Sequence, residues 1–180
     1  MIILALDLAT ITGWCRGAPG ETPTYGSIGK KGRSHPAIFG ELQKWLITET
    51  AGDKRPDVIA YEMPILRPTD TGDVVGILWG LAAIVQATAY QRGIHNDHLM
   101  PIKLDAMRKF FLGKSKWKRE DGKAAAVRKC RNNLKLDPQD DNAAEAIGHW
   151  CYAGALLVPQ SAHRSSPIFS TRVKVGDALI

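Results

Sequence analysis

Ile2-Ile3-Leu4-Ala5-Leu6-Asp7 and Val58-Ile59-Ala60-Tyr61-Glu62 decide the fold. Each is a short apolar run with β-branched or aromatic members, closed by an acid. Such runs read as central strands buried on both faces. Thr10, Thr12 and Gly13 then mark a turn. Trp14-Cys15-Arg16 and Thr24-Tyr25-Gly26-Ser27-Ile28 read as two further strands, with Gly17 to Pro23 as their hairpin loop. The first three strands form a meander.

Helices follow. Ser34 suits an N-cap, and Ile38, Leu42, Trp45 and Leu46 fall on one helical face. Pro64 stops the Val58 strand. Helices are predicted over 71–91, 103–112, 122–136 and 141–157, with a short strand at His98-Leu99-Met100. The order β-β-β-α-β-α-β-α-α-α implies an α/β chain, a five-stranded mixed sheet flanked by helices. We expect one domain over 1–157 and an irregular tail over 158–180.

Composition bounds the partners. The chain has 180 residues, 44% of them hydrophobic, enough for one buried core. Its formal charge is +6. Residues 101–140 hold 12 Lys/Arg and 5 Asp/Glu, whereas the other 140 residues hold 12 and 13. The basic character thus belongs to one segment. Within it, Lys114-Ser115-Lys116-Trp117-Lys118-Arg119 interleaves cations with an aromatic, a pattern that suits phosphates and a stacked base or sugar. A solvated loop with Trp117 turned into the core is the commoner fate of such a hexamer.

Cys15, Cys130 and Cys151 show neither a zinc spacing nor a disulfide framework, so a reducing, cytoplasmic setting is expected. The apolar N-terminal run ends at Asp7, too early for a signal-peptide core. Val74 to Ala89 is the most apolar long stretch. At 16 residues it falls short of a membrane span, and no membrane is expected as a partner.

Four acids stand out by position. Asp7 and Glu62 close the two buried strands, where ligands of an open α/β sheet gather. Asp141 and Glu145 lie one turn apart at the start of the last helix. Crowded carboxylates repel, and protonation or a hard divalent cation removes the conflict. Two Mg²⁺ or Mn²⁺ ions about 4 Å apart would suit phosphodiester hydrolysis. Each acid also has a structural alternative. Asp7 fits a turn, Glu62 a pair with Arg67, and Asn142 with Glu145 a capping box. His149 lies one turn beyond Glu145. It either orients Glu145 or touches a substrate, although a packed helix-face histidine is commoner.

The ordered set resembles the RuvC-type Holliday junction resolvases, especially their phage-type branch. Leu4-Ala5-Leu6-Asp7-Leu8-Ala9-Thr10-Ile11-Thr12-Gly13-Trp14 resembles their opening strand and turn. Val58 to Glu62 resembles their second acidic strand. Phe111-Leu112-Gly113-Lys114, then Gly122-Lys123-Ala124, resembles the loop and helix start before the last motif. Asp140-Asp141-Asn142-Ala143-Ala144-Glu145-Ala146-Ile147 resembles the closing helix.

The resemblance implies an RNase H-like fold, a homodimer and Mg²⁺-dependent incision of branched DNA at four-way junctions, with Mn²⁺ as a substitute. It carries the metal and catalytic roles to Asp7 and Glu62, and to Glu145 where the family usually has Asp. Three residues earlier the family often has an acid or His, and here stands Asn142. Asp141 is the nearest acid for that fourth place. Lys123 matches a basic residue of the family, and Lys114, Lys116, Lys118 and Arg119 are its expected DNA-binding neighbours. Met63-Pro64-Ile65-Leu66 is apolar where many members have an aromatic wedge.

A dimer would use the 71–91 helix, whose Gly76 and Gly80 leave a flat strip. The rival readings are a related nuclease for other branched DNA or RNA, and a non-catalytic nucleic-acid binder. A sugar-kinase-like ATPase would need two such domains, for which 180 residues are too few.

Overall fold

Five strands form one sheet in the order β3-β2-β1-β4-β5 in the computed structural model, which describes residues 1–65 and 71–159. The strands are β1 (Ile3–Asp7), β2 (Thr12–Gly17), β3 (Thr24–Ile28), β4 (Val58–Glu62) and β5 (Leu99–Ile102). β1, β2 and β3 run antiparallel as the expected meander, whereas β4 pairs parallel with both β1 and β5. The mixed α/β sheet is therefore as expected. The tail beyond Pro159, Leu66 and the Glu62–Arg67 pairing lie outside the described residues.

Helices cover both faces. They are α1 (His35–Glu49), α2 (Gly72–Gln91), α3 (Leu104–Leu112), α4 (Arg119–Lys129) and α5 (Asp141–Leu157). Strand alternation sorts the core into two layers. Leu4, Leu6, Ile59 and Tyr61 meet α1 and α2 on one face. Ile3, Ala5, Val58 and Ala60 meet α3, α4 and α5 on the other. Asp7 and Glu62 continue the second series, so both acids fall on the α5 side.

Several local expectations change. Ser34 precedes α1, but its side chain makes no capping bond; a proline in the first turn starts that helix instead. α4 begins at Arg119, earlier than expected, and passes into a π turn at Cys130–Leu134. Asp140 is the N-cap of α5, its Oδ1 accepting from the Ala143 N–H at 2.8 Å. Ser27 donates to the same oxygen at 2.7 Å. The Asn142–Glu145 capping box is thus overturned, because Asn142 is already inside the helix.

The 20-residue α2 is long and apolar enough to cross a bilayer, contrary to the 16-residue reading. Its Ile77, Leu81, Ala82 and Val85 are buried in the α1–sheet layer. A Cβ on Gly80 would stand 2.3 Å from Phe39, so this glycine serves packing within the chain. Gly76 alone of the expected strip faces open space. Val74 and Trp79 on α2 are 42% and 47% exposed.

Candidate functional site

Parallel pairing aligns Leu6 with Tyr61, which places Asp7 and Glu62 side by side at the carboxyl ends of β1 and β4. Antiparallel pairing sets Gly13 of β2 on the other flank of Asp7. The missing Cβ of Gly13 matters. A Cβ there would lie 2.0 Å from the Asn142 carbonyl oxygen, so only glycine lets the first turn of α5 descend beside Asp7.

α5 then delivers Glu145 and His149 to the same side, one turn apart. A ligand atom from each of Asp7, Glu62 and His149 lies within 4.8 Å of the others. Asp7 is buried, and its carboxyl is held well above the usual carboxylate range. Burial is the main cause; the negative charges of Glu62 and Glu145 and a hydrogen bond with Glu62 add to it, against the opposing pull of Lys123. His149 is wholly buried, and neither ring nitrogen has a hydrogen-bond partner among the described residues. Burial, followed by the nearby Arg108 charge, lowers its pKa to about 3, so the ring is neutral. Two carboxyl groups and a neutral imidazole brought this close form a donor set suited to a divalent cation.

The other two acids are engaged by bases. Arg108 on α3 donates to Glu145 Oε1 through Nε at 3.0 Å and also through Nη2. Both side chains are buried. Gly148 lets α3 come this close, since a Cβ there would meet the Met107 sulfur at 2.8 Å. Lys123 on α4 reaches Asp141 Oδ2 at 2.8 Å and Asn142 Oδ1 at 3.4 Å. The structure thus gathers Asp7, Glu62 and His149 closely, with Glu145 near enough for its charge to act on Asp7 and Asp141 held apart in its pair with Lys123.

Arg108 was not anticipated. Its signal was a cation on the apolar face of α3, in line with Leu104, Met107 and Phe111. Lys114, Lys116, Lys118 and Arg119 are exposed around the α3–α4 connection, whereas Lys123 is partly buried at the acids. Trp117 is neither free nor in the core. Its Nε1 donates to the Lys114 carbonyl at 2.8 Å, and the Lys114 ammonium sits 3.9 Å above its ring.

No family model and no curated protein matches the chain. Solved structures do. RuvC of Thermus thermophilus is 14% identical, with a TM-score of 0.61 over 92% of this chain and 99% of that one. The T. thermophilus RuvC in complex with Holliday junction substrate is 13% identical, with a TM-score of 0.63 over 92% and 98%. The yeast mitochondrial Holliday junction resolvase Ydc2 is 12% identical, with a TM-score of 0.55 over 82% and 75%. At such identities the likeness speaks for architecture: the chain has the RNase H-like fold of the RuvC resolvases.

Proposed function

We propose that the chain is a metal-dependent endonuclease that resolves four-way DNA junctions. The carrying observation is the meeting of Asp7, Glu62 and His149 at the carboxyl ends of parallel strands, on a fold shared with junction resolvases. Asp7 and Glu62 hold the cation, Mg²⁺ or Mn²⁺. Asp141 and Glu145, the other two acids of the catalytic set, line the site. Four carboxylates against Arg108 and Lys123 leave two negative charges, those one divalent ion brings to neutrality. A second ion would come with the charge of a substrate phosphate. When bound, the cation supplies Lewis-acid activation of water and stabilises the leaving oxygen.

The chain's own residues position the substrate. Lys114, Lys116, Lys118 and Arg119 take the phosphates flanking the cleaved bond, which orients DNA without reading its sequence. Lys123 bridges this basic surface to Asp141. The exposed Val74 and Trp79 on α2 meet a second copy in a homodimer, so that two sites face symmetrically related strands. The buried thiols of Cys15 and Cys130 suit a reducing compartment.

The test is incision of a synthetic four-way junction with and without Mg²⁺, beside fork, duplex and RNA substrates. Paired incisions of the junction, lost in Asp7→Asn with binding retained, are expected. Preferential cutting of RNA or forks would move the chain to a related nuclease. Junction binding with no metal-dependent turnover would make it a non-catalytic binder.

A further inference from the structure

Glu145 stands where the sequence pattern puts a last metal ligand, yet its Oε1 is already taken by two donors of Arg108. One turn further along α5 stands His149. Its ring is fully buried, and among the described residues both nitrogens go without a hydrogen-bond partner. Buried polar atoms in native proteins are nearly always satisfied, so two orphaned nitrogens on one ring call for a ligand. One of them lies within 4.8 Å of a carboxylate oxygen of Asp7 and of one of Glu62. Ligands about 2.0–2.2 Å from one ion stand at most about 4.4 Å from one another, so small side-chain adjustments close this triangle around a cation.

We infer that His149 is a nitrogen ligand of the cation held by Asp7 and Glu62, and that Arg108 keeps Glu145 beside the cation as a paired wall of the site. The inference rests on the metal-dependent reading above and adds a donor of a different kind. It also bears on metal choice. Mg²⁺ prefers a shell of oxygens, whereas an imidazole favours first-row transition ions. The chain therefore binds Mn²⁺ more tightly than Mg²⁺, and His149 is the cause.

The experiment is pulsed EPR of the full chain with one equivalent of Mn²⁺ and no DNA. Nitrogen modulation from a directly bound imidazole is expected, and it changes isotope when the protein is grown with ¹⁵N-histidine. In His149→Gln the modulation disappears, and Mn²⁺ binds about tenfold more weakly or worse, while Mg²⁺ affinity changes less. Bound Mn²⁺ without nitrogen modulation in the wild type overturns the inference, and so does modulation that survives in His149→Gln. Should His149→Gln fail to fold, the isotope exchange in the wild-type chain decides alone. Mn²⁺ bound without nitrogen, with junctions still cut, would sink only the role of His149. Absence of Mn²⁺ binding together with absence of cleavage would sink the metal-dependent reading itself.

Discussion

Gly13→Ala tests whether the site depends on α5 lying directly against β2. A methyl at Gly13 would stand 2.0 Å from the Asn142 carbonyl oxygen, 2.3 Å from its carbon and 2.9 Å from the Ala143 nitrogen. Real Cβ atoms essentially never come closer than 3.0 Å to such atoms. The obstacle is backbone, so no side chain can rotate away. The first turn of α5 must move by about 1 Å, the difference between the two distances. Inserting a methyl into a packed site costs about 1–3 kcal/mol, and a backbone clash belongs at the upper end. For a chain of this size about 3 kcal/mol lowers the melting temperature by roughly 6–12 °C. The same displacement carries Glu145 and His149 away from Asp7, and a 1 Å misplacement costs on the order of 10²-fold in rate. Circular dichroism melting and single-turnover junction cleavage read the two effects. Wild-type melting with wild-type cleavage would refute the close approach of α5. A lower melting temperature with full activity below it would show that the acids do not depend on this helix turn.

Arg108→Met strands the buried Glu145 charge and should destabilise the chain by about 3–5 kcal/mol in urea unfolding, with Glu145→Gln restoring much of the loss; a change under about 1 kcal/mol would mean the pair is not formed. Asp140→Ala removes the α5 cap and the partner of Ser27, worth about 1–3 kcal/mol together, and should cost more than Asn142→Ala; the reverse order would return the cap to Asn142. Lys116→Ala with Lys118→Ala should weaken binding to junction and duplex alike and lower the log–log salt slope by about 0.9 per lost phosphate contact; an unchanged slope would remove these lysines from the DNA surface. Burial pushes the Cys130 thiol up to about 12 and raises Cys15 as well, so both stay protonated at pH 8 and unreactive toward thiol reagents until the chain unfolds; rapid labelling of native protein at either would contradict their burial.

The sheet was legible because its signals are local. A buried strand closed by an acid announces itself within five or six residues, and α5 runs over the expected Asp141–Leu157. The acid pair followed from strand ends alone. What stayed hidden depends on residues distant in the chain. Asp140 and Asn142 are equally good caps on paper; in the fold Asp140 takes the Ala143 N–H, and Ser27, arriving from β3, donates to the same oxygen. Gly76 and Gly80 look alike in an apolar helix until Phe39 of α1 fills the space over one of them. His149 differs from a packed core histidine only through its neighbours, two strand-end acids far off in sequence. Arg108 was written on the face of α3 as a charge among apolar residues, but its partner Glu145 lies 37 residues further along the chain.

The crowding of the acids and their neutralisation arise from the same packing. Gly13 draws α5 onto β2, and Gly148 draws α3 onto α5, so that side chains of α3 and α5 reach the carboxyl ends of β1 and β4. Asp7, Glu62 and Glu145 brought together without compensation would be strongly unfavourable. α3 and α4 carry the compensating charges, Arg108 for Glu145 and Lys123 for Asp141. Asp7 differs from both, because the acid it hydrogen-bonds is Glu62, another carboxyl. A divalent ion would therefore gain most between Asp7 and Glu62, by relieving repulsion, and least at Glu145, where it would compete with a guanidinium already in place. Which of these acids would be open to a cation follows from where the glycines let the helices settle.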